Sequence, residues 1–158
     1  MQQHRTVVGA VMGSLVVIGL TLWVTLPPDE ALSAPDPVAA AGLVVAGLAL
    51  HLVIEAVGYR APALPPGQDT ATTSRQAGER LMSGTVLRLA LSETIAFVAL
   101  ALTFVLTPST ILTYAVGAVV SLALLARHAW PSARVVDRVA TALEADGARS
   151  GLREQAAG

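Results

Sequence analysis

Four runs of about twenty apolar residues dominate this chain, and each is long enough to cross the roughly 30 Å hydrocarbon core of a bilayer as a helix. They lie at 6–26, 38–57, 81–106 and 111–130. A backbone in lipid has no water to bond to, so it must satisfy its own polar groups, and helices do that within one segment. Only 13% of the residues are charged while 54% are hydrophobic, against about 25% charged in an ordinary soluble domain. The expected fold is therefore an all-α, integral membrane four-helix bundle.

The connections punctuate this pattern. Pro27 and Pro28 end the first run, and Pro35 and Pro37 open the second, because proline cannot continue a helical hydrogen-bond ladder. The segment from Arg60 to Arg80 holds three prolines, Gly67 and a run of Thr and Ser, and reads as an exposed loop. Thr107-Pro108 reads as a tight turn with Thr107 as N-cap. The first run exceeds the usual length of a signal-peptide core and is read as a span.

Orientation follows from arginine placement. Arg5, Arg60, Arg75, Arg80, Arg127, Arg134, Arg138, Arg149 and Arg153 fall at the termini or in the middle connection, and the first and third connections have none. The positive-inside rule then puts both termini in the cytoplasm of a multi-pass inner (plasma) membrane protein. Residues 1–130 form the transmembrane domain, and 131–158 a cytoplasmic helix and tail. In that tail Val135, Val136, Val139, Ala142 and Leu143 follow helical spacing, with Arg134, Asp137, Arg138 and Glu144 on other faces. This predicts a C-terminal amphipathic surface helix, lying on the membrane or docked on the protein's own cytoplasmic end.

Ionisable groups inside a membrane are costly, roughly 2.5–3.5 kcal/mol each, and mark functional or pairing positions. Glu93 lies near the middle of the third run, where burial favours the protonated acid. It is the leading proton or cation site candidate, with His51 of the second run near its depth. The alternative is a neutral acid acting as packing glue. Arg88 lies about 7.5 Å from Glu93 along the helix and about 140° around it. Its long side chain can snorkel toward the cytoplasmic interface, and Glu55, at similar depth, is its candidate structural ion-pair partner. His51 and Glu55 share one helix face at i,i+4. A zinc site needs at least one more ligand, and in the sequence only Glu93 offers one nearby, so no metal is assigned.

Small residues mark candidate helix-packing faces: Gly9 and Gly13, Gly42 and Ala46, Gly117 and Ser121, each pair four apart. No catalytic motif occurs, so the expectation is no enzyme and no cofactor. Net charge is −1 and no cysteine occurs, which leaves no case for a nucleic-acid partner or for thiol chemistry. The partners expected are the lipid bilayer and other membrane subunits or a second copy.

Arg75-Gln76-Ala77-Gly78-Glu79, followed by Ala90-Leu91-Ser92-Glu93-Thr94-Ile95-Ala96, resembles the C-terminal helix of the proteolipid c subunit of rotary ATP synthases. The resemblance covers about thirty residues and implies that Glu93 binds a proton or cation. The chain departs from that family in having two more spans, Arg88 within the helix, and His51 and Glu55 where the family has a glycine-rich zipper. As a whole it resembles small four-span membrane proteins of GC-rich bacteria. The function expected from all this is an accessory or scaffold subunit of a larger membrane assembly, or else a small proton- or cation-coupled carrier centred on Glu93.

Overall fold

The computed structural model describes residues 2–157, and its regular structure is entirely helical. The elements are α1 (Gln2–Thr25), α2 (Pro37–Val57), α3 (Thr70–Val105), α4 (Ile111–Leu124), a π-helical turn (Leu125–Ala129), α5 (Ala133–Leu143) and α6 (Leu152–Ala157). The first three, and α4 with its π turn, are long and apolar enough to cross a membrane. The chain has the architecture of a multi-pass membrane protein.

Local chemistry fixes the starts. The Asp36 carboxylate accepts from Ala39 N–H (2.7 Å) with Pro37 opening α2, and Asp69 accepts from Thr72 N–H (2.9 Å) at the start of α3. Backbone N–H donors left over at a helix start are met in this way. For α4 the cap is Thr110, whose hydroxyl accepts from Leu112 N–H. The expected Thr107 cap is thus displaced by three residues. The Thr107–Pro108 peptide is cis, and Thr110 is held in place from outside, donating to the carbonyls of Ala31 and Ser33 while Ser109 N–H reaches Glu30. The two short connections at this end are therefore tied together.

α3 and α4 form the central pair, α2 packs on both, and α1 lies mainly against α4. Backbone contact explains the closeness of the central pair. A Cβ added to Gly117 would lie 2.2 Å from Ala99 Cβ, and Ala96 N–H donates to Ser121 Oγ. Both residues were expected packing positions. The other small pairs are not packed within the chain: Gly9, Gly13 and Gly42 have open space where a Cβ would stand, and Ala46 is exposed. On α2 the buried stripe is Leu43, Gly47 and Ile54, one residue round from the expected face, with Gly47 set against Val120. On α1 the buried residues are Val8, Leu15 and Leu22, a seven-residue spacing that turns Gly13 outward.

The largest departure from expectation is the start of α3. It begins at Thr70, not near Leu81, so most of the supposed loop after Asp69 is helix. A Thr/Ser run is a poor helix former, but tertiary packing overrides it here. Thr73, Ala77 and Leu81 are buried one turn apart, and Ala77 and Leu81 join Leu64, Val136, Val139, Ala140, Leu143 and Leu152 in a separate apolar core. The amphipathic helix α5 is present, and its apolar stripe is covered by the chain's own extension of α3.

Candidate functional site

A polar cluster forms where α2, the π turn and α5 meet. The π turn places His128 in the interior, fully buried. Single π turns inside α-helices are frequent at functional sites because the extra residue re-aims a side chain. His128 Nε2 lies 2.8 Å from His51 Nδ1, and His128 Nδ1 lies 2.9 Å from Tyr59 Oη. A neutral imidazole carries one N–H, so one side donates and the other accepts. If Tyr59 O–H donates to Nδ1, then Nε2–H donates to His51; the reverse order is equally complete. The three side chains are thus one hydrogen-bonded chain that can run in either direction.

Glu55 sits beside this chain, its carboxylate 3.9 Å from His128 Nδ1. It is ion-paired to Arg134 (2.8 Å) and to Arg138, both from α5. The expected Glu55–Arg88 pair does not form. The reason is that Arg134 and Arg138, four apart on α5, share one helix face, and the docking of α5 sets that face over Glu55, so both reach the same carboxylate. Burial of the pair is partial, with Glu55 22% exposed. Its ion pairs also raise the proton affinity of the Arg138 guanidinium.

Arg88 does not snorkel. It is 0% exposed, donates to Gly58 O (2.8 Å) and to Thr85 Oγ1 (3.0 Å), and lies over the Tyr59 ring at 4.9 Å. Gly58 caps the C-terminus of α2, where exposed carbonyls and the helix dipole favour a cation. Arg138 stacks on the same ring at 4.6 Å, so Tyr59 is flanked by two guanidinium groups. Tyr59, whose position in the sequence marks only an amphipathic ring near a membrane interface, is the hub of the cluster.

Glu93 stands apart. It is half-buried in α3 and makes no hydrogen bond or ion pair among the described residues. His51, its expected companion, bonds instead to His128. The third potential metal ligand that the sequence lacked is also His128: His51, Glu55 and His128 bring one ligand atom each within 4.8 Å of one another. As arranged, however, the two nitrogens of His128 face opposite partners, and Glu55 is already neutralised by two arginines. The set works as a hydrogen-bonded cluster rather than as a convergent ligand triad.

Comparison with protein-family models, with curated proteins and with solved structures finds no match for this chain. The site's own geometry carries the functional reading.

The ion-pair assignment gives a direct test. A double-mutant cycle on Glu55→Gln and Arg138→Gln should show a coupling of about 1 kcal/mol, as for a partly exposed pair of good geometry. The cycle on Glu55→Gln and Arg88→Gln should be additive within error in the same unfolding assay in detergent. Coupling of Glu55 to Arg88 and none to Arg138 would reverse the assignment.

Proposed function

We propose that this chain is a non-catalytic accessory or scaffold subunit of a larger membrane assembly, with both termini in the cytoplasm. One observation supports it above the rest: Glu93 sits half-buried in a span with no hydrogen-bond or ion-pair partner among the described residues. An acid at that depth is costly unless something pairs with it. Its neighbours Ala90, Thr94 and Phe97 on α3 are exposed, which leaves its flank open to a helix of another subunit or of a second copy. The polar cluster at the arginine-rich end, by contrast, is closed on itself and serves to hold α2, α4 and α5 as a rigid platform. The clustering of arginine at the end that carries both termini supports the orientation.

A photo-crosslinking residue at position 90 or 97, used in native membranes, should give a discrete protein adduct. The same residue at Leu20, on the exposed face of α1, should give lipid adducts. Glu93→Gln should weaken the protein adduct. Lipid adducts alone at all three positions, with assembly size unchanged by Glu93→Gln, would remove this reading. The unpaired acid equally suits a small proton- or cation-coupled carrier centred on Glu93. That reading requires ion flux through liposomes holding the purified chain alone, abolished by Glu93→Gln.

A further inference from the structure

Three arginines meet at one crevice with no acid among its lining residues. The crevice, about 190 Å³, lies between the α2–α3 connection and the adjoining turns of α3, with Val139 of α5 over it. Arg60, Arg80, Ser83 and Arg88 supply its polar lining, and Leu87 part of its apolar wall. The nearby carboxylate, Glu55, is taken by Arg134 and Arg138. None of the three lining arginines has a carboxylate partner among the described residues. Among the described residues Arg80 bonds to the carbonyls of Pro62 and Ala63. Arg60 is exposed, and its side chain makes no hydrogen bond within the described residues.

Arg88 makes the charge imbalance costly. It is fully buried, its hydrogen bonds go to a carbonyl and a hydroxyl, its guanidinium lies over the Tyr59 ring, and its Nε has no hydrogen-bond partner among the described residues. A buried cation without a counter-charge is expensive, and the C-terminal dipole of α2 offsets it only in part. Glycines let it lie there: a Cβ on Gly84 would be 3.1 Å from Arg88 Nη1, and one on Gly58 3.1 Å from Arg88 Cγ. Arg88 thus supplies positive potential from behind the wall, while Arg60, Arg80 and the Ser83 hydroxyl stand where they can touch a ligand. Guanidinium groups match phosphate oxygens in charge and in geometry. Leu87 of the crevice wall and Val86 beside it on α3 are both exposed, an apolar surface on which the start of an acyl chain can lie.

We infer that this crevice binds a phosphate-bearing anion, with its charged wall at the end of the spans and its apolar wall leading into them. The anion can come from an anionic phospholipid headgroup or from free phosphate. Native mass spectrometry of the full chain in neutral detergent separates these sources. With phosphatidylglycerol the chain should retain more lipid than with phosphatidylcholine, whose choline cation the arginines repel. Inorganic phosphate binding, with no preference between the two lipids, would assign the free anion as the ligand. Arg60→Gln, at an exposed position, and Ser83→Leu, which fills the crevice, should each reduce retention of the preferred ligand, roughly five-fold for the lost arginine. Neither depends on the buried Arg88, whose removal also uncaps α2. Equal retention of the two lipids without phosphate binding, or retention unchanged in both variants, would overturn the site and leave Arg88 as a helix cap.

Discussion

Leu143→Asp should release α5 and α6 from the bundle while the four long helices stay folded. Leu143 is fully buried in the core that joins α5 and α6 to the start of α3, and its carbonyl accepts from Leu64 N–H at 2.8 Å. Truncating a buried leucine alone costs about 2–5 kcal/mol, and a carboxylate in its place adds a desolvation penalty. The remaining tie to α2, Glu55 with Arg134 and Arg138, is partly exposed, and such a pair is worth at most about 1 kcal/mol. Trypsin reads the outcome directly, because Arg134 and Arg138 lie on the docked helix. Both sites should be slow to cut in the parent and fast in the variant, with helicity of the spans kept. An unchanged digestion pattern would mean that this core does not hold the tail. Acid should act in the same direction. Burial pushes the Glu144 carboxyl up, but the N–H and O–H of Ser150 and the Arg153 guanidinium outweigh it and hold the group below its ordinary value. A depressed folded value means a stabilisation present above the ordinary carboxylate range and lost as pH falls through the lowered value.

His128→Phe is expected to be the most damaging single change within the spans. The ring is roughly conserved in size, but His51 Nδ1 and Tyr59 Oη both lose their partner. A buried polar group left unsatisfied costs about 1–3 kcal/mol, so a loss on the order of 3 kcal/mol is expected for the two together. Thermal unfolding in detergent, followed through Trp130 two residues away, measures it. Adding His51→Leu and Tyr59→Phe should recover part of the loss, since removing all members of a polar network is less harmful than removing one. A His128→Phe variant as stable as the parent would show that the three side chains are not a unit.

The four membrane-length helices were legible in the sequence because lipid imposes one strong rule, and a run of twenty apolar residues can obey it in one way. Each run formed a helix, with α3 extending N-terminally to Thr70, and the amphipathic stripe Val135, Val136, Val139 and Leu143 appeared as its periodicity predicted. What could not be read is which faces meet. Rotating α2 by one residue exchanges Gly42 and Ala46 for Leu43 and Gly47, and composition does not distinguish the two stripes. The cluster was hidden for a related reason. His128 lies near the end of the fourth apolar run, where nothing in the sequence marks it, and only the π turn aims it at His51. Arg134 and Arg138 looked like the solvent face of a tail helix until that helix docked beside Glu55. Depth along the helix suggested pairing Glu55 with Arg88, but depth is one coordinate of three. The i,i+4 spacing of Arg134 and Arg138, which puts two cations on one helix face, was the available signal that α5 could hold a carboxylate.

Helix α3 runs unbroken for 36 residues, about 54 Å at 1.5 Å per residue. One part of it carries Glu93 among the spans, and the other carries the Ala77–Leu81 seat for α5 and α6. No proline interrupts it, and its Ser83-Gly84 step lies within continuous helix. It is one continuous lever. A load applied to the extramembrane seat must tilt or turn the intramembrane portion with it, and whatever grips the helix at Glu93 is mechanically in touch with whatever grips the tail.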